Sequence, residues 1–188
     1  MKQPKNLIFS TTHIIMLSFL SVIILGSLLL SLPISSANST AVPYLDALFT
    51  ATTATCVTGL VTLPTFSTWS VFGQIVIILL IQIGGLGVIT IMSVLMILLH
   101  KRMGINHRLL LQDAFNLNSL AGIIQFVKKV VFGSFLVEGV GALLYMFVFI
   151  PEFGLRGIWI SVFTSISAFC NAGIDIIAEN SLCNYSTH

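Results

Sequence analysis

Apolar residues in this chain gather in long runs, and the runs are closed by proline, glycine or basic clusters. The first run, residues 14–32, is 19 residues long, just enough for a helix to cross about 30 Å of hydrocarbon. Pro33 closes it, and the polar segment 35–40 reads as a loop. Residues 43–53 (PYLDALFTATT) then make about three helical turns. They are apolar but too short to cross, which marks a re-entrant, interfacial or buried segment. TCVTGL at 55–60 follows it.

A second run, 69–99, ends in His100, Lys101 and Arg102. It exceeds what one span needs, which predicts tilt or projection beyond the bilayer. Residues 103–122 are mixed, with Leu110, Ala114 and Leu117 at helical spacing. They predict a cytoplasmic, partly interfacial helix. A third span is expected over 130–150, stopping before Pro151. A short apolar segment, 157–168, leads into FCNAGI at 169–174, and a polar tail follows.

Composition turns these runs into a class. Of 188 residues, 56% are hydrophobic and 7% charged, and the mean hydropathy is +1.06. A soluble domain carries about 25% charged residues, so lipid must solvate much of this exterior. The reading is an all-α membrane protein. Lys2, Lys5 and the Ser35-Ser36-Ala37 stretch also suit a signal peptide, but secretory apolar cores run about 7–15 residues. The first run is therefore read as a retained span.

The charge distribution orients it. Of eight Lys and Arg residues, all but Arg156 lie at the N-terminus (Lys2, Lys5) or between the second and third runs (Lys101, Arg102, Arg108, Lys128, Lys129). Short cytoplasmic loops collect such residues, which puts the N-terminus and the 100–129 segment inside and 35–40 outside. The expected location is the plasma membrane, multi-pass. Without a basic, aromatic-interleaved patch, no nucleic-acid partner is expected. Cys56, Cys170 and Cys183 form no CxxC pair and read as free thiols.

The chain also repeats itself. Residues 47–63 laid over 161–177, at a constant shift of 114, match at Phe49/Phe163, Thr50/Thr164, Ala54/Ala168, Cys56/Cys170 and Gly59/Gly173. The same shift carries the first span onto the third. The repeated unit is span, short re-entrant helix, glycine-containing loop, span. Residues 1–122 hold the first unit with a cytoplasmic linker, and 123–188 hold a second that lacks its inner helix. Non-helical backbone at membrane depth must line water or be buried in protein. Loops of this kind set around an axis can replace an ion's hydration shell with carbonyl oxygens. The plainer alternative is a pair of ordinary turns rich in small residues.

At these residues the chain resembles the Trk/Ktr/HKT family of potassium transporters, most of all the membrane subunit of bacterial Ktr systems. The likeness rests on ALFTATTATCVTGL (47–60), QIGGLGVIT (82–90), HRLLLQDAFN (107–116), VEGVGALL (137–144) and SVFTSISAFCNAGI (161–174). It implies a potassium-channel-like pore of four helix–pore-loop–helix repeats in one polypeptide, paired as a homodimer in the full-length form. The ion-lining backbone implied here is Thr55, Cys56, Val57, Thr58 and Gly59, with Phe169, Cys170, Asn171, Ala172 and Gly173. A glycine at position 59 accompanies potassium preference in the family; relatives with serine there admit sodium. The resemblance further implies a separate cytosolic nucleotide-binding regulatory subunit, K+ as the transported ion, no cofactor and no enzymatic activity. Four repeats need roughly twice this length, so the chain resembles the N-terminal half, with the second repeat truncated and the third-repeat gating loop missing.

Other constellations carry less. Residues 82–87 (QIGGLG) lack the GxGxxG spacing and strand context of a nucleotide loop, and small residues in a membrane helix permit close packing. Glu138, inside the third span, suits ion attraction or a structural hydrogen bond. Asp46 and Asp175 suit cation concentration or simple solvation. His13, His100, His107 and His188 show no metal-ligand spacing. The function expected is channel-like potassium uptake. A different small polytopic transporter and a non-transporting membrane scaffold are the alternatives.

Overall fold

A computed structural model of the chain describes residues 11–98, 104–115 and 122–177. Lys2, Lys5, the His100–Arg102 cluster, Cys183, His188 and the tail lie outside the described residues. All regular structure within them is helical: α1 Thr11–Leu30, α2 Tyr44–Cys56, α3 Thr65–Thr68, α4 Val71–Leu86, α5 Val88–Leu98, α6 Ile105–Ala114, α7 Ile123–Phe153 and α8 Arg156–Phe169. Among the described residues, α1 (over His13–Leu30) and α7 are long and apolar enough to cross a membrane.

Helix α1 shows how serine is carried through an apolar run. The hydroxyls of Ser18, Ser21, Ser27 and Ser31 donate to the carbonyls of Ile14, Leu17, Ile24 and Leu28, at 2.6–2.8 Å. Each of these hydroxyls is thus satisfied by a carbonyl three or four residues earlier, as an apolar medium requires. Leu17, Leu20, Ile24, Leu25 and Leu28 remain exposed, while Ser27 and Leu30 are buried. Gly26 admits the Leu80 side chain of α4, whose Cδ atoms would lie 2.7 and 2.8 Å from an added Cβ.

The chain turns after α1 through a 3-10 turn at Pro33–Ser35 and meets the start of α4. Ser70 N–H donates to the Ser35 carbonyl at 2.9 Å, and the Ser70 hydroxyl donates to the Ile34 carbonyl at 2.6 Å. Ser70 also caps α4 by accepting from Gly73 N–H at 3.2 Å. At this same end of the molecule Arg156 stacks over Phe66, 4.9 Å from the ring centroid.

Helix α2 lies against α1 and α4. Its fully buried residues are Ala47, Ala51, Ala54 and Thr55, small residues that let backbones approach closely. Helix α8 packs mainly on α7, and α4 links the halves by touching α1, α2 and α8. The main core runs from Leu30 and Ala51 through Trp69, Ile77 and Ile81 to Phe149, Ile160 and Phe163.

The elements depart from expectation in two places. The 69–99 run is not one helix: it breaks at Gly87, where φ is 84°, so its excess length goes into two segments. The third span begins at Ile123, not at 130, and passes through Pro151. No glycine or proline lies between Gly122 and Gly133, so Lys128 and Lys129 join the helix, where their stems can lie along apolar surface. Pro151 sits in the last turn, where a missing N–H forfeits one bond. The end is closed instead by Gly154 N–H donating to the Ile150 carbonyl at 2.9 Å. At 31 residues, α7 is about 46 Å long.

Candidate functional site

The segments following α2 and α8 are built alike. The helix α2 runs through Thr55 and Cys56 and stops at Val57, which is left-handed at φ 56°. Thr58 N–H then donates to the Thr53 carbonyl at 3.0 Å. The Thr53 hydroxyl accepts the N–H of Leu60 at 3.0 Å and lies 2.7 Å from the Thr58 hydroxyl. In the second loop Asn171 is left-handed at φ 61°. Ala172 N–H donates to the Ser167 carbonyl at 2.7 Å, and the Ser167 hydroxyl accepts the N–H of Ile174 at 3.0 Å. Apart from the Thr58 hydroxyl, for which position 172 offers alanine, each of these groups has its counterpart 114 positions away. The aligned segments thus form the same hydrogen-bonded turn twice, through pairs that are alike but not identical.

Between the two latches stand Gly59 and Gly173, at φ 77° and 67°. Glycine takes this region without the penalty a Cβ brings. The two loops also touch there. A Cβ on Gly173 would lie 3.9 Å from Gly59 Cα, and one on Gly59 would lie 2.6 Å from the Ala172 carbonyl oxygen.

Helix α4 supports both loops from behind. Gly84 faces the Thr55 backbone, whose carbonyl carbon would lie 2.8 Å from an added Cβ and whose oxygen would lie closer still. The next residue, Gly85, faces Cys170, with Sγ 2.5 Å from an added Cβ. Gln82 donates through Nε2 to both carboxyl oxygens of Glu138, at 2.9 and 3.2 Å, and the Cys170 thiol points at its Oε1 across 4.0 Å. The QIGGLG segment is therefore a packing and hydrogen-bonding wall, not a nucleotide loop.

The ten residues singled out in sequence fall into these two loops and the helix ends that feed them, with unequal exposure. Thr55 is fully buried, and its hydroxyl donates to the Ala51 carbonyl at 2.8 Å. Cys56 and Thr58 are exposed, and Val57 and Gly59 half-buried. Phe169, Asn171 and Gly173 are exposed, Cys170 half-buried and Ala172 buried. Cys56 and Cys170 are free thiols. Sequence reasoning missed Thr53 and Ser167, although the repeat alignment pairs them as hydroxyl residues. It also missed that Gln82 is the partner of Glu138. Among the described residues no group of His, Cys, Asp and Glu could hold a metal.

Residues 5–188 match the TrkH family, described as cation transport protein. The chain belongs to the TrkH family. It is 38% identical over 185 residues to the potassium/sodium uptake protein NtpJ of Enterococcus hirae, covering 98% of this chain and 41% of that one. It is 39% identical over 173 residues to the Ktr system potassium uptake protein B of Bacillus subtilis, covering 92% and 38%. Against the protein of the same name in Vibrio alginolyticus it is 35% identical over 169 residues, covering 89% and 37%. The chain thus spans about two fifths of the length of these curated relatives. TrkH proteins are ion transporters and not enzymes, and membership makes this a membrane protein in contact with lipid. The exposed leucines of α1 and the exposed Phe132, Phe135, Leu143, Leu144 and Phe147 of α7 suit that setting.

Proposed function

We propose that this chain contributes two ion-lining loops to a channel-like path for potassium uptake across the plasma membrane. The loops are the 55–59 and 169–173 segments, and backbone groups rather than side-chain charges face the ion. The observation that carries the reading is the duplicated turn, in which a hydroxyl pins the backbone seven residues on and a glycine stands between. Ordinary surface turns have no need to be repeated in backbone bonding, whereas a selectivity filter needs several equivalent loops around one axis. The close approach of Gly59 to Gly173 fits loops that share one path. Relatives named for potassium and for potassium/sodium uptake point to the same ion class.

Each half is a helix–pore-loop–helix unit in this reading, with α2 and α8 as the re-entrant helices and α1 and α7 as outer spans. The membrane is crossed several times, with the N-terminus and the basic 100–129 segment inside. Within the complete transporter we place a homodimer and a cytosolic nucleotide-binding regulatory subunit as partners, and K+ as the only ligand, without a cofactor. The test is rubidium uptake by a potassium-uptake-deficient bacterium expressing the protein from its own gene, with and without Gly59→Ser. Uptake competed by potassium, with discrimination against sodium lowered by the substitution, is the expected result. Unaltered discrimination at normal membrane abundance would remove Gly59 from the ion path.

A further inference from the structure

The two loops are alike in their turns but not in what stands behind them. Behind the second loop lies a connected polar bracket. Glu138 on α7 is 4% exposed, and both its carboxyl oxygens accept from Gln82 on α4. Its backbone carbonyl accepts from the Ser165 hydroxyl of α8 at 2.6 Å. Gln82, through its other amide atom, faces the Cys170 thiol. Ser165 is itself set into Gly141 of α7, with Oγ 2.5 Å from an added Cβ. Two residues on, Ser167 makes the latch to Ile174 in both directions, its hydroxyl donating to the Ile174 carbonyl at 2.5 Å.

Among the described residues, the first loop has no such bracket. The residues 114 positions before Glu138 and Ser165 are Ile24 and Ala51, whose side chains contain no polar atom. A buried carboxyl group in a membrane helix is costly unless paired, and a span needs none to pack against its neighbour. Its presence here, with both oxygens bound to α4 beside one loop, calls for a role that a leucine would not fill.

We propose that Glu138 is a positioning residue for the second loop: its carboxyl group, through Gln82, fixes the side of Cys170, beside the point where the backbone of the same residue holds Ser165 of α8, so that it sets ion discrimination at the 169–173 segment without touching the ion. This rests on the reading that the loops line the ion path. It makes the two loops unequal partners: both have a hydroxyl latch, and the second is also backed by a hydrogen-bonded frame on the neighbouring helices.

Two readouts separate this from a merely structural role. The first is the rate at which a small methanethiosulfonate reagent labels Cys170 in native membranes, resolved from Cys56 by peptide mass spectrometry. The second is rubidium-over-sodium discrimination in the uptake assay. Gln82→Glu sets two carboxyl groups against each other and should raise Cys170 labelling about fivefold, the loss expected from one hydrogen bond. Cys56 labelling should not move, and discrimination should fall. Glu138→Gln, which keeps one of the two bonds, should do the same more weakly. The double exchange Gln82→Glu with Glu138→Gln rebuilds the pair in reverse and should restore both readouts.

Wild-type labelling and discrimination in Gln82→Glu would overturn the proposal. So would a parallel rise at Cys56, which signals general loosening, or failure of the double exchange to restore Cys170. If Gly59→Ser also leaves discrimination untouched, the ion-lining reading itself fails; the Cys170-to-Cys56 labelling ratio then still decides whether Glu138 holds the loop.

Discussion

Thr53 and Ser167, 114 positions apart, each accept the backbone N–H seven residues further on, at 3.0 Å in both cases. The pairing equates the loops, yet the surroundings differ. Leu60, which Thr53 holds, is 63% exposed, whereas Ile174, which Ser167 holds, is 2% exposed. A buried N–H stripped of its acceptor costs about 1–3 kcal/mol, while one that water or headgroups can reach costs less.

Ser167→Ala should therefore destabilise the protein by about 2 kcal/mol, and Thr53→Val by under about 1 kcal/mol. Thermal unfolding in mild detergent gives the ranking. Equal losses would mean that the two latches are not distinguished by burial.

The two loop glycines should respond unequally as well. Both need positive φ, so alanine at either costs about 1–2 kcal/mol in backbone terms. Gly59→Ala adds a collision with the Ala172 carbonyl oxygen, 2.6 Å from the new Cβ, while Gly173→Ala meets nothing nearer than 3.9 Å. Gly173→Ala should be recovered from membranes in good yield, and Gly59→Ala should be recovered poorly or with altered uptake. The opposite order would place the contact between the loops elsewhere.

Helix glycines offer a contrast free of loop geometry. Gly84→Ala drives a methyl group into the Thr55 backbone, which no rotamer change relieves, whereas Gly133 and Gly139 of α7 have nothing within 4 Å of an added Cβ. Gly84→Ala should abolish folded protein on size-exclusion chromatography. Gly139→Ala should be neutral or stabilising by up to about 1 kcal/mol.

Orientation is testable on its own. With single cysteines at Ser39 and Asn106, a membrane-impermeant reagent added to intact cells should label position 39 and spare position 106, as the basic 100–129 segment implies. Preferential labelling of 106 would invert the topology.

Much of this architecture could be read before any coordinates. The runs at 14–32 and 43–53 became α1 and α2 within a few residues, because run length and proline placement act locally. The repeat was visible through Gly59/Gly173 and Cys56/Cys170. The break at Gly87 was not, since a glycine within an apolar run serves packing and interruption alike. The start of α7 was misplaced because Lys128 and Lys129 were read by charge alone, although lysine is a good helix former. The Gln82–Glu138 pair was hidden for a different reason: the partners are 56 positions apart, and only tertiary packing brings them together.

Gly84 and Gly85 are neighbours on one helix, and one faces the first loop while the other faces the second. Successive residues of an α-helix project about 100° apart around its axis. The angle at which the two loops approach α4 is therefore a property of helical winding, and neither the length nor the composition of the connecting segments sets it. A one-residue insertion ahead of Gly84 would rotate both contacts together by that angle and keep their difference. A residue inserted between the two glycines would open the angle to about 200° and turn the loops' seats to nearly opposite sides of the helix. The helix acts as a protractor, with its reading written in two adjacent codons.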